Sequence, residues 1–96
     1  MSSNDFEQVH NYYERLVIEE VMRRSDGYPT LDDDNLADVI CVALNRLPAR
    51  YVRHDVDLMF YLTEGERHAI ELAMEEALSV AFEFVARRAQ QRAANG

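Results

Sequence analysis

The sequence predicts a small all-α domain of three to four helices with a long C-terminal helix. Three observations lead there: apolar residues recur at helical spacing, capping signals stand ahead of the first and last helical runs, and the main turns carry Gly27, Pro29 and Pro48. All 96 residues are expected to form one domain, 1–96, with a short extended segment near 51–62 and a frayed tail from about Gln90 to Gly96. A lone domain of this size buries only roughly 60 to 70% of the surface its unfolded chain exposes, so every apolar face needs a partner.

The first helix is expected to start near Asn4, with Glu7 three residues on completing a capping box, and to run to Arg23 and Arg24. Phe6, Val9, Tyr13, Leu16, Val17 and Val21 share one face of it. The two arginines complement the negative end of the helix dipole. The turn Ser25-Asp26-Gly27-Tyr28-Pro29 then stops the helix, through the left-handed conformation that glycine tolerates and the restriction proline places on Tyr28.

The second helix opens on Asp32, Asp33 and Asp34, placed where the dipole favours carboxylates. Consecutive helical residues point about 100° apart, so these three do not converge on a metal ion. Leu36, Val39, Ile40, Ala43, Leu44 and Leu47 form its core stripe, and Pro48 ends it. Beyond it Tyr51-Val52 is extended, with pairing to another chain as one option, while Val56 to Leu62 fits either a strand or an irregular turn.

The last helix begins at Thr63, with Glu66 in a second capping box, and Arg87, Arg88 and Arg92 sit toward its far end. Glu71, Glu75, Glu76, Ser79 and Glu83 occupy a sector of about 140°, which leaves about 220° for apolar residues. Ala69, Ala73, Ala77 and Ala81 allow close approach of another helix, beside a ridge of Ile70, Met74, Leu78 and Val85. One face is expected to pack on the first two helices and the other on a second copy, giving a homodimer that forms through helices. The alternative is a monomer whose first two helices wrap both sides.

Composition excludes several function classes. A net charge of −8 repels nucleic-acid backbones, so no nucleic-acid partner is expected. The longest apolar runs fall far short of the roughly 20 residues that cross a bilayer. With Cys41 the sole cysteine and no signal-peptide pattern at the N-terminus, a reducing cytoplasm is the expected location. His10, His54 and His68 belong to no ligand motif, and the scattered glycines form no phosphate loop, so neither metal, cofactor nor enzymatic activity is expected. Cys41, on a face with Ala37 and Leu44, is expected to pack as a small hydrophobe.

One segment departs from the acidic background. From Asn45 to Arg53 the chain reads Asn-Arg-Leu-Pro-Ala-Arg-Tyr-Val-Arg, with three arginines, one ring and no acid. Arg46, Arg50 and Arg53 project around the bend at Pro48, and guanidinium forks suit phosphates and base edges while Tyr51 offers a stacking face. Pairing of these arginines with nearby surface carboxylates is the competing reading.

The run Asp38-Val39-Ile40-Cys41-Val42-Ala43-Leu44-Asn45-Arg46-Leu47-Pro48-Ala49-Arg50-Tyr51-Val52 resembles the signature of the late competence development protein ComFB family, and Asn11-Tyr12-Tyr13-Glu14-Arg15-Leu16-Val17 resembles an upstream family segment. The resemblance implies a small helical homodimer without catalysis that serves as a receptor for cyclic dinucleotides, cyclic di-GMP foremost. It further implies that Arg46, Arg50 and Arg53 hold phosphate or guanine, Tyr51 stacks, Asn45 orients the loop or a base, and Asp38 accepts from a base. Many relatives carry a zinc-binding cysteine cluster ahead of the Asp-Val pair; here Thr30-Leu31-Asp32-Asp33-Asp34-Asn35 stands there, so no zinc is expected. Ala49 replaces the second proline of the family turn. A second-messenger receptor that alters its contacts with a downstream protein is the leading expectation, and a structural protein–protein adaptor without a small ligand is the alternative.

Overall fold

The computed structural model describes residues 8–54 and 60–95. Three helices carry it: α1 (Tyr12–Arg24), α2 (Asp33–Arg46) and α3 (Glu64–Asn95), with a two-stranded antiparallel ribbon of β1 (His10–Asn11) and β2 (Tyr51–Val52) at one edge. The all-α expectation holds, and β2 falls within the short extended segment expected near 51–62. Among the described residues, no helix is long and apolar enough to cross a membrane.

The first helix starts later than its sequence suggests. A cap at Asn4 and Glu7 lies outside the described residues, but residues 8–11 are not helical and Val9, expected inside, is 52% exposed. Asn11 is the cap instead, its Oδ1 accepting from the Tyr13 amide at 3.2 Å. The same oxygen accepts from the Arg50 amide at 3.1 Å, and the Tyr12 amide donates to the Arg50 carbonyl at 2.6 Å. Long-range bonds to the segment after α2 therefore set where α1 begins, and they bury Tyr12 beside Tyr13, Val17 and Val21. The far end of α1 tightens into a 3-10 turn over Ser25–Gly27, and no glycine among the described residues adopts a positive φ. Gly27 is thus not the left-handed stop expected of it; i→i+3 bonds finish the helix.

The second helix is capped by Asp32, whose carboxylate accepts from the Asn35 backbone amide at 2.8 Å while Asn35 Oδ1 accepts from the Asp32 backbone amide at 3.1 Å. Leu36, Val39, Ala43 and Leu47 are buried, and Ile40 and Leu44 flank them half-buried. Leu47 is extended, as a residue before proline tends to be, and this closes the helix at Arg46. Cys41 is exposed, contrary to its expected packing, because at 100° per residue it sits nearly opposite the arc of Leu36, Val39 and Ala43. The extended Tyr51-Val52 pairs with His10–Asn11 of its own chain. Residues 56–59 of the expected strand or turn lie outside the described residues.

The third helix has the expected Thr63–Glu66 box: the Glu66 amide donates to Thr63 Oγ1 at 3.1 Å, and the Thr63 hydroxyl and Glu66 carboxylate meet at 3.1 Å. Its 32 residues would span about 48 Å, which sets the long axis of a molecule measuring 53 × 34 × 21 Å. Ala77, Leu78, Ala81, Phe82 and Val85 are buried against α1 and α2, and Tyr28 stacks on Phe82 with ring centroids 4.4 Å apart. Small residues bring the helix backbone close, and Phe82 fills the space under the turn that follows α1. Ala69 and Leu72 remain exposed on the face of α3 away from this core. An ion pair joins the end of α1 to the first half of α3, where Arg24 reaches Glu20 at 3.1 Å and Glu75 at 2.6 Å. Its hydrogen bond, then its charge, hold the Glu75 carboxyl below its ordinary pKa.

Candidate functional sites

The arginine turn is built by the end of α2 and by β2. Asn11 clamps it through the Arg50 amide, and the ribbon places Asn11 opposite Tyr51. Asn45, Arg46, Arg50, Tyr51 and Arg53 are all exposed, Tyr51 at 70%. Among the described residues no carboxylate engages Arg50 or Arg53, whereas Arg46 lies 3.5 Å from Glu76 of α3. An exposed pair at that distance contributes roughly 0 to 1 kcal/mol and yields readily to a competing anion.

Asp38 is placed elsewhere. It lies eight residues before Arg46, about 12 Å along the helix axis, and lines a groove between α2 and α3. The groove has a volume of about 290 Å³. One wall presents Asn35, Asp38 and Cys41, the other Arg88 and Arg92, and Val42, Phe84, Val85 and Ala89 supply its apolar surface. The Arg88 guanidinium rests over the Phe84 ring, 5.6 Å from its centroid. Among the described residues neither Arg88, Arg92 nor Asp38 has an ion-pair partner, in contrast to Arg87, which Glu83 holds at 2.7 Å.

Sequence reading missed Arg88 and Arg92 as candidates because it assigned them to the end of the helix. The helix continues to Asn95, so they occupy the stretch that crosses the start of α2. A signal was available: Arg87 has a carboxylate four residues before it, while Arg88 follows Phe84 and Arg92 follows Arg88 at the same interval. No group of three or more potential metal-ligating side chains occurs among the described residues.

Residues 10–89 match the family model described as late competence development protein ComFB. No curated protein and no solved structure matches the chain.

Proposed function

Because the chain belongs to the late competence development protein ComFB family, we propose that it is a non-enzymatic cytoplasmic receptor for a cyclic dinucleotide, cyclic di-GMP foremost, acting as a homodimer. The observation that carries this reading is the exposed Arg50-Tyr51-Arg53 segment, whose two guanidiniums no described carboxylate neutralises in a chain of net charge −8. Two guanidiniums suit the two phosphates of such a ligand, and an exposed tyrosine suits one of its bases. The Asn11 clamp fixes the backbone of the turn before ligand arrives, which lowers the ordering cost of binding. Dimerisation is supported by the exposed Leu72 and Ala69 on α3, a helix that presents more apolar surface than α1 and α2 cover.

Calorimetry with cyclic di-GMP tests the receptor. Binding by the parent chain and its loss in Arg50→Ala are expected; a parent that releases no heat and melts at the same temperature with and without ligand refutes it. The Arg46–Glu76 pair favours a second reading, a protein–protein adaptor whose arginines meet carboxylates. A true ligand at about 100 times its Kd stabilises the fold by on the order of 2.7 kcal/mol, so a thermal-shift panel of cyclic dinucleotides separates the two.

A further inference from the structure

We propose that the groove between α2 and α3 binds a free α-amino acid with an apolar side chain, its carboxylate held by Arg88, Arg92 and Asn35 and its ammonium by Asp38. The site is separate from the arginine turn and stands whether or not a cyclic dinucleotide binds there.

Its walls carry opposite charges that do not close on each other. Arg88 and Arg92 of α3 and Asp38 of α2 line one cavity of about 290 Å³, yet among the described residues no ion pair joins them. Elsewhere arginines of this chain take a nearby carboxylate, as Arg87 does with Glu83 and Arg24 with Glu20 and Glu75. Charges of opposite sign held apart across a gap suit a ligand that carries both signs itself, and two guanidinium forks against one carboxylate make the anionic group of that ligand the more strongly held.

The order of groups along the groove selects the zwitterion. Arg46 at the end of α2 pairs with Glu76 of α3, and the groove is lined by residues before Arg46 and after Glu76, so the two helices run antiparallel there. At 1.5 Å per residue Val42 and Phe84 stand nearest that pair, Asp38 and Arg88 come next, and Asn35 and Arg92 are farthest. Asn35 Oδ1 is engaged by the Asp32 backbone amide, so its NH2 group is left to donate beside the two guanidiniums, and this end takes a carboxylate. Asp38 offers only acceptors and takes the ammonium, while Val42, Phe84 and Val85 cover an apolar side chain beyond it. Carboxylate, amine-bearing carbon and side chain follow one another in the same sequence in an amino acid. Phe84 holds the Arg88 guanidinium flat, so less side-chain freedom is lost on binding. The volume lies near the lower end of small-molecule sites, which suits a ligand of this size.

Cys41 serves as the reporter, since it lines the groove, is exposed and is the only thiol of the chain. Its alkylation by iodoacetamide, followed by mass spectrometry, is expected to slow severalfold as L-phenylalanine or L-leucine is added. About tenfold more 3-phenylpropionate, which lacks the ammonium, or phenethylamine, which lacks the carboxylate, should be needed to match phenylalanine. With each variant normalised to its own ligand-free rate, Asp38→Asn is expected to abolish the preference for phenylalanine over 3-phenylpropionate, and the double change Arg88→Ala/Arg92→Ala the preference over phenethylamine. Loss of one preference in each distinguishes these roles from a general loss of fold. Arg50→Ala is expected to leave both preferences unaltered, so failure of the turn and failure of the groove are read in different variants. Millimolar L-phenylalanine and L-leucine that neither slow alkylation nor shift the Ala89 amide in a nitrogen–proton correlation spectrum overturn the proposal. So does equal protection of the parent chain by phenylalanine and either one-charge analogue, or a preference over phenethylamine that survives loss of both arginines.

Discussion

The turn after α2 and the groove along α2 and α3 both present arginines to solvent, yet they are held in different ways. In the turn, position comes from backbone: one asparagine oxygen and the pairing of two short strands hold the segment, and Arg50, Tyr51 and Arg53 extend from it exposed to solvent. In the groove, position comes from packing, because Phe82, Val85, Val39 and Ala43 press the two helices together underneath and Phe84 seats Arg88. A surface set by a few hydrogen bonds adapts to its ligand, whereas one set by a packed core is shaped in advance.

Phe82→Ala should break the comparison most severely. Removing a buried ring that also stacks on Tyr28 is expected to cost about 3–5 kcal/mol, seen as a lower midpoint in urea unfolding. In the folded fraction, amides beside the groove, such as that of Ala89, should shift more in a nitrogen–proton correlation spectrum than the Arg50 amide of the turn.

Arg50→Ala sharpens the comparison from the other side. Loss of a charge-assisted phosphate contact of about 1.5–3 kcal/mol should weaken cyclic di-GMP by roughly tenfold or more in calorimetry, with the melting curve of the free protein unchanged. Asn11→Ala comes next. It removes the cap of α1 and the clamp on Arg50 together, and about 1–2 kcal/mol of stability should go with them. Hydrogen exchange should accelerate at the Tyr13 and Arg50 amides while amides of α2 beside the groove, such as that of Val42, keep their protection.

The smallest effect concerns neither surface. Arg24 depresses the Glu75 pKa in the folded chain, so this carboxylate favours folding at pH values above its unfolded pKa and the contribution fades as pH falls through the lowered folded value. Both groups are at least partly exposed, so the change should be slight and vanish in Glu75→Gln. A carboxyl-carbon NMR titration that placed Glu75 at or above the ordinary glutamate value would contradict the pairing.

Most of the helical framework was legible in the residues. The α2 stripe of Leu36, Val39, Ala43 and Leu47, the Thr63–Glu66 box and the extended Tyr51-Val52 all follow from short-range rules, and all recur in the structure. The start of α1 did not follow from them: a local capping box at Asn4 and Glu7 points upstream, but Asn11 is recruited by an amide 39 residues away. Cys41 was read as packed because it shares a face with Ala37 and Leu44, yet only the arc facing α1 and α3 is buried. Of the candidate site, the exposed arginine turn could be read from charge against an acidic background. The groove could not, since Asp38 and Arg88 stand 50 positions apart in the chain and meet one cavity only when α3 lies across α2.

By itself, then, the order of residues determined what depends on neighbours within a helical turn: three helices, the Thr63–Glu66 box, their inward faces and the match to the ComFB family model over residues 10–89. Tertiary structure decided everything that depends on how far apart two helices lie and at what angle: the cap chosen for α1, the partner of β2, the exposure of Cys41 and the placing of Asp38 and two arginines on opposite walls of one groove. Periodicity and capping act over about four residues, whereas a cavity exists only once side chains from distant segments have been packed against each other.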